Sequence, residues 1–145
     1  IKNEKEFVEI YKKELYFTDH IKTHGFIDLG SKKFEDILAS CSFVIFPSCS
    51  EGGCPSVITA IGNGGLIPII SKETTISTGN EIWIEELTIE GVEKSVNIAL
   101  SLSEKEIKNM QVKNLEYIQK NHSKEKYFNT LKNSIESIIK ESNDL

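Results

Sequence analysis

The sequence contains no arginine: all 17 of its basic residues are lysine. Planar two-point clamps on phosphate or carboxylate are therefore unavailable, and any phosphate must be held by lysine or by backbone amides. Cysteine is scarce, with Cys41, Cys49 and Cys54 odd in number and close in sequence. No histidine stands near them at zinc-ligand spacing, so no metal site is expected, and reduced thiols point to the cytoplasm. Neither a secretory leader nor an apolar run long enough to span a bilayer is present. Basic surplus is missing too: the net charge of −5 gives no general surface for nucleic acid or anionic lipid. The chain opens at Ile1 rather than Met, which reads as a piece of something longer.

What is there describes one ordinary globular domain: 145 residues, 39% hydrophobic and 27% charged. Residues 43–71 organise it. Phe43, Val44, Ile45 and Phe46 form a continuous apolar run, as expected of a parallel strand covered on both faces. Pro47 ends the run, and Ser48-Cys49-Ser50-Glu51-Gly52-Gly53-Cys54 reads as a loop. Pro55 suits the first position of a helix faced by Val57, Ile58 and Ile61 and ended by Gly62, Gly64 and Gly65. Such a loop, leaving the carboxyl end of a buried strand and entering a helix, is where open α/β sheets place ligands. The N–H groups of Ser56 and Val57, with the helix dipole, favour an anion there.

In chain order, Phe7, Val8, Tyr11 and Leu15 predict an amphipathic helix over residues 4–16. Residues 21–27 form a short strand candidate, followed by a turn at Asp28-Leu29-Gly30. Ser31 caps a helix faced by Phe34, Ile37, Leu38 and Cys41. After the central strand, residues 66–70 form a second one, in which Pro68 argues for an edge position. Residues 72–81 read as a loop and 82–84 as a last strand. Thr88 caps a helix with Ile89, Val92, Val96 and Leu100 inward. Ser103 and Glu106 form a capping box opening a helix with Ile107, Met110, Leu115 and Ile118 on one side. Ser123 starts a final helix with Tyr127, Phe128, Leu131, Ile135 and Ile138 as its buried stripe. Strands alternating with helices predict α/β architecture: a Rossmann-like parallel sheet with helices on both faces and a helical tail over 103–145.

Each candidate residue also has a plainer reading. Glu51 could be a solvated loop carboxylate, Thr59 a helix-surface residue and Lys32 an ordinary surface lysine. Cys54, at a helix start, is placed for a lowered thiol pKa, yet packing explains it as well. His20, His24 and His122 have no partnered carboxylate in sequence. Trp83 reads as a core or interface aromatic.

The central stretch resembles the nucleotide-sugar-binding C-terminal half of GT-B glycosyltransferases, specifically the large retaining group called family 4. Pro47-Ser48, Glu51-Gly52-Gly53, Pro55, Ala60, Gly64 and Pro68-Ile69-Ile70 fall in that family's register. His24-Gly25-Phe26-Ile27 matches its preceding strand, and the similarity extends over roughly residues 20–85. The resemblance implies a hexosyltransferase that binds a nucleoside-diphosphate sugar for transfer to a glycan or lipid-linked acceptor in polysaccharide biosynthesis, with no separate cofactor. It places Glu51 on the donor sugar's hydroxyls as the catalytic carboxylate. The amides of Gly52, Gly53, Cys54, Ser56 and Val57 then face sugar and diphosphate, and Ile27 and Lys32 line the nucleobase pocket. Thr59 stands where the family has a second glutamate that binds ribose, which leaves at most one hydroxyl for that contact. The family's Arg–Lys pair and its N-terminal, acceptor-binding half precede Ile1, so this chain alone is expected to be inactive and to partner that half. Two strands of the family's sheet are unaccounted for: they lie upstream, or the first strand here pairs differently. Membrane-lipid acceptors leave room for peripheral membrane contact. Two other readings stand beside this one: a flavodoxin-like module that binds an anion or a partner, and a GT-B-fold nucleotide-sugar epimerase.

Overall fold

The computed structural model describes residues 4–143. The chain divides into two compact units, with the boundary in sequence between Phe34 and Glu35.

The first unit holds α1 (Glu4–Ile10) and α2 (Lys12–Tyr16). The single helix predicted for 4–16 is thus interrupted at Tyr11, although the N–H groups of Tyr11 and Leu15 still donate four residues back. Its apolar residues Phe7, Ile10 and Tyr11 are exposed. The strand predicted over 21–27 is not formed; this stretch is irregular. Gly25 sits at φ 64°, outside the extended region, and Phe26 is 97% exposed, so the segment has neither strand geometry nor a face to bury. The segment is tied instead by the Thr23 hydroxyl, which donates to the Leu15 carbonyl. Ser31 opens α3 (Lys32–Ala39) as predicted, its hydroxyl accepting from the Phe34 N–H at 3.2 Å.

The second unit is built on a parallel sheet of β1 (Phe43–Phe46), β2 (Ile67–Ser71) and β3 (Ile82–Ile84), in the order β1-β2-β3. Phe43 pairs with Ile67 and Ile69 with Ile82. Pro68 therefore lies in the central strand, not at an edge. The Ile67 N–H donates to Ser42 on the β1 side, and backbone groups alternate sides along a strand, so the proline nitrogen faces β3. Pairing with β3 begins only at Ile69, one residue later, and no ladder donor is lost.

Alternate strand residues serve two cores, as a sheet covered on both faces requires. Val44, Phe46, Ile70 and Trp83 pack with Val57 and Ile61 of α4 (Pro55–Gly64) and Ile118 of α6 (Glu104–Asn121). Phe43, Ile67, Ile69, Ile82 and Ile84 pack with Val92 and Ala99 of α5 (Ile89–Ser101) and with Ile107 and Met110 of α6. Gly65 ends α4 at φ 65°, its N–H donating to the Ile61 carbonyl at 2.7 Å, the left-handed cap that glycine adopts without strain.

Three predicted faces are corrected. In α5 the fully buried residues are Gly91, Ser95 and Ala99 rather than Ile89 and Leu100. Small side chains bring this helix against β3 and the segment after it: the Ser95 hydroxyl reaches the Trp83 carbonyl at 2.9 Å, and a Cβ on Gly91 would stand 2.0 Å from the carbonyl oxygen of Glu86, two residues past the strand. Cys41 lies beyond the end of α3 and is exposed. The stripe of α7 (Lys124–Asn143) is not buried: Tyr127, Phe128, Leu131, Ile135 and Ile138 all stand exposed. No helix among the described residues is long and apolar enough to cross a membrane.

Candidate functional site

The loop between β1 and α4 is positioned from below by β2. The buried Ser71 hydroxyl, at the end of that strand, donates to the Ser48 carbonyl, and the Thr74 hydroxyl donates to the Ser71 carbonyl at 2.7 Å. The Ser48 N–H returns to the Phe46 carbonyl at 3.0 Å, which turns the chain sharply at Pro47. The Ser48 hydroxyl then serves the loop twice: it accepts from the Ser50 N–H and donates to Glu51 Oε1, each at 3.4 Å. Glu51 is half-buried and held by this serine at the carboxyl end of the sheet. Gly53 takes φ 149°, which side-chain-bearing residues rarely adopt, as the chain swings into the helix.

At the start of α4, Cys54 is the residue before the helix and offers no side-chain cap. The first bond of the ladder runs from the Ile58 N–H to the Cys54 carbonyl at 3.1 Å. The amides of Ser56 and Val57 precede it, and Pro55 has none to offer. Two amides without a ladder partner and the positive end of a ten-residue helix thus stand where the Glu51 loop enters α4, Ser56 exposed and Val57 buried. The Cys54 thiol is buried and 3.8 Å from the Ser56 hydroxyl, the environment of a packed thiol.

Thr59 sits one turn further on. Its hydroxyl donates back to the Pro55 carbonyl at 2.7 Å, so it retains only acceptor capacity. Glu51, Gly52, Gly53, Cys54, Ser56, Val57 and Thr59 therefore belong to one strand–loop–helix passage. Ile27 and Lys32 belong to the first unit: Ile27 ends the irregular stretch and Lys32 is the first residue of α3.

Three grooves mark the second unit. One, of about 500 Å³, opens beside the loop between Pro47, Cys49 and the start of α5 at Leu87, Thr88, Ile89, Val92 and Glu93. A second, of about 160 Å³, lies along α5 and β3 and includes Trp83 and Lys94. A third, of about 430 Å³, runs from Pro55, Ile58 and Thr59 to the junction of α6 and α7. Glu51 lines none of the three. The first and third grooves were not read from the sequence. The signal for the first was present in Thr88, a helix cap just past the last strand, whose hydroxyl does accept from the Gly91 N–H at 3.0 Å. Among the described residues no three of His, Cys, Asp and Glu stand together as metal ligands would.

One more carboxylate is well anchored, but at the opposite end of the sheet. Glu81, just before β3, accepts from the Ser77 hydroxyl at 2.8 Å and from the Thr78 N–H at 2.8 Å, and also from the Asn80 N–H at 3.1 Å. Burial pushes its pKa up, and the hydrogen bonds from Ser77 and Thr78 outweigh that, so its carboxyl lies below the ordinary range. Its work is to fold the turn over residues 77–81. Comparison with known proteins returns no match to a family model, a curated protein or a solved structure.

Proposed function

We propose that this chain is the donor-binding region of a GT-B glycosyltransferase: a Rossmann-like sheet whose β1–α4 passage takes a nucleoside-diphosphate sugar. The observation that carries the reading is the uncapped start of α4, with two amides ahead of the ladder, at the carboxyl end of a parallel strand and beside a half-buried carboxylate held by Ser48. In this reading the amides of Ser56 and Val57 take the diphosphate. They are fixed before the reaction, so they stabilise the charge that grows as the glycosidic bond breaks without reorganising. Glu51 accepts from the sugar's hydroxyls and opposes the positive charge that develops at its anomeric carbon. With no arginine in the chain, amides and lysine carry the whole anion contact. Thr59, whose proton is spent on Pro55, accepts from one ribose hydroxyl.

Calorimetric titration of the chain with UDP, GDP and their hexose conjugates tests this. The sugar conjugate is expected to bind more tightly than the bare diphosphate, and Glu51→Gln to remove that difference, a loss of about tenfold for one hydrogen bond to a charged group. A variant that keeps full preference for the conjugate overturns the role of Glu51. No binding of any nucleoside diphosphate overturns the reading as a whole.

A further inference from the structure

The groove of about 430 Å³ between α4 and the α6–α7 junction differs from the rest of this acidic molecule. Its lining of Pro55, Ile58, Thr59, Asn121, His122, Ser123, Lys126, Tyr127 and Thr130 contains no carboxylate, in a chain with 22 acidic residues against 17 basic ones. Lys126 and His122 are exposed there, and the Lys126 ammonium makes no ion pair among the described residues. Three of the polar groups are partly spent: the Thr59 hydroxyl donates to Pro55, the Ser123 hydroxyl accepts from the Lys126 N–H at 3.1 Å, and one Asn121 amide hydrogen goes to the Tyr117 carbonyl at 2.9 Å. What remains is mostly donors: the Lys126 ammonium, the His122 ring, the second Asn121 amide hydrogen, and the hydroxyls of Tyr127 and Thr130. The Tyr127 ring, 64% exposed, and Pro55 with Ile58 add apolar surface along the walls.

We propose that this groove is a second ligand site, centred on Asn121, His122 and Lys126 and bordering the donor passage only at Thr59, that takes a phosphate monoester of a hydroxyl-bearing small molecule. The volume fits one such ligand. A phosphate needs a cation and several donors, and a carboxylate in the wall would repel it, so a cationic wall without one matches this ligand. The hydroxyls of the ligand meet Asn121 and Thr130, and its body lies against Tyr127 and Ile58. A sugar phosphate and a nucleoside monophosphate share this chemistry. The site does not rest on the donor-binding reading, because that reading uses none of Asn121, His122, Lys126, Tyr127 and Thr130, and only Thr59 is common to both.

Titration of the full chain with inorganic phosphate, a hexose 6-phosphate and UMP, followed by calorimetry and by the His122 and Tyr127 NMR resonances, tests the proposal. One ester is expected to bind at about 1 mM or tighter and to shift both resonances. Lys126→Gln is expected to weaken it about tenfold, while Lys132→Gln, on the same helix but outside the groove, leaves it unchanged. Lys126 is exposed, so its variant keeps the fold, which circular dichroism checks. A tighter UMP assigns the nucleoside source, and a tighter hexose phosphate assigns the sugar source. Binding that ignores Lys126→Gln, that falls as far with Lys132→Gln, or that is equal for inorganic phosphate and both esters overturns the proposal, as does an absence of binding.

Discussion

β2 and α7 treat their apolar side chains in opposite ways. Every residue of β2 is buried, down to Ser71, and the strand lies between two neighbours with a core on each face. The helix α7 runs over Lys124–Asn143 and exposes Tyr127, Phe128, Leu131, Ile135, Ile138 and Ile139, six large apolar side chains in a row of helical spacing. A strand cannot exist without partners, because its N–H and C=O groups are paired only by neighbouring strands, so its position in the sheet dictates its burial. A helix pairs its backbone internally and can be complete while its apolar stripe faces water. An apolar run in β2 thus reports topology, whereas the stripe on α7 reports only that a helix forms.

The sharpest way to break this contrast is to delete side-chain volume from β2. Ile70, 0% exposed, packs against Val57, Ile61 and Ile118. Ile70→Ala is expected to cost about 2–5 kcal/mol in urea unfolding, from lost burial and the cavity left behind. A cost below about 1 kcal/mol would mean that the core around β2 collapses freely, and the distinction between the two regions would lose its basis.

That strand also shows how much was legible in the sequence. The run FVIF, the small-residue loop, the helix opened at Pro55 and the cap at Gly65 follow from local chemistry, and the structure forms them where they were expected. Pro68 misled because the rule for proline in sheets concerns which side its nitrogen faces, and that is set by the register with β3, not by the residues around it. Residues 21–27 misled because an apolar stretch becomes a strand only where a neighbour can pair with it. In α5 small residues face the sheet beside Val92: the hydrophobic pattern marks the helix, and Ser95 and Ala99 set how closely it approaches. At the candidate site, Glu51 and the uncapped amides were readable from the loop's composition. The grooves were not, since their walls come from segments far apart in the chain.

Caps sharpen the comparison at a smaller scale. Thr88 caps α5, which is locked to β3 through Ser95, while Ser123 accepts from the Lys126 N–H at 3.1 Å at the start of the unpacked α7. Thr88→Ala is expected to lower global stability by about 1 kcal/mol. Ser123→Ala is expected to fray α7 in hydrogen exchange while the urea midpoint stays put, because α7 can open without the sheet. Equal shifts in the midpoint would tie α7 to the cooperative core.

Acid distinguishes the regions next. Glu81, held below the ordinary carboxylate range, anchors the turn into β3, and Glu106, lowered by the Ser103 hydroxyl and N–H, closes the capping box of α6. A carboxyl with a depressed folded-state pKa adds stability that is complete above its unfolded value, near 4.3, and is lost as pH falls through the lower folded value. From pH 6 to pH 3 the urea midpoint of the wild type is therefore expected to fall further than that of Glu81→Gln. Parallel lines for the two proteins would remove Glu81 from the folding balance.

The smallest effect is expected on α7, and it tests the contrast from the other side. Ile135 is 48% exposed, in the middle of the stripe, and touches neither core. Ile135→Ala removes no buried contact and exchanges a β-branched residue for the best helix former, so the urea midpoint should move by no more than about 0.5 kcal/mol, in either direction. The burial of Ile70 and the exposure of Ile135 then account for the whole difference between two isoleucine-to-alanine changes. A loss above about 1 kcal/mol at Ile135 would require the stripe to be covered in solution. The dependence of that loss on protein concentration would then separate coverage by a second copy from coverage within one chain, since only association makes stability depend on concentration.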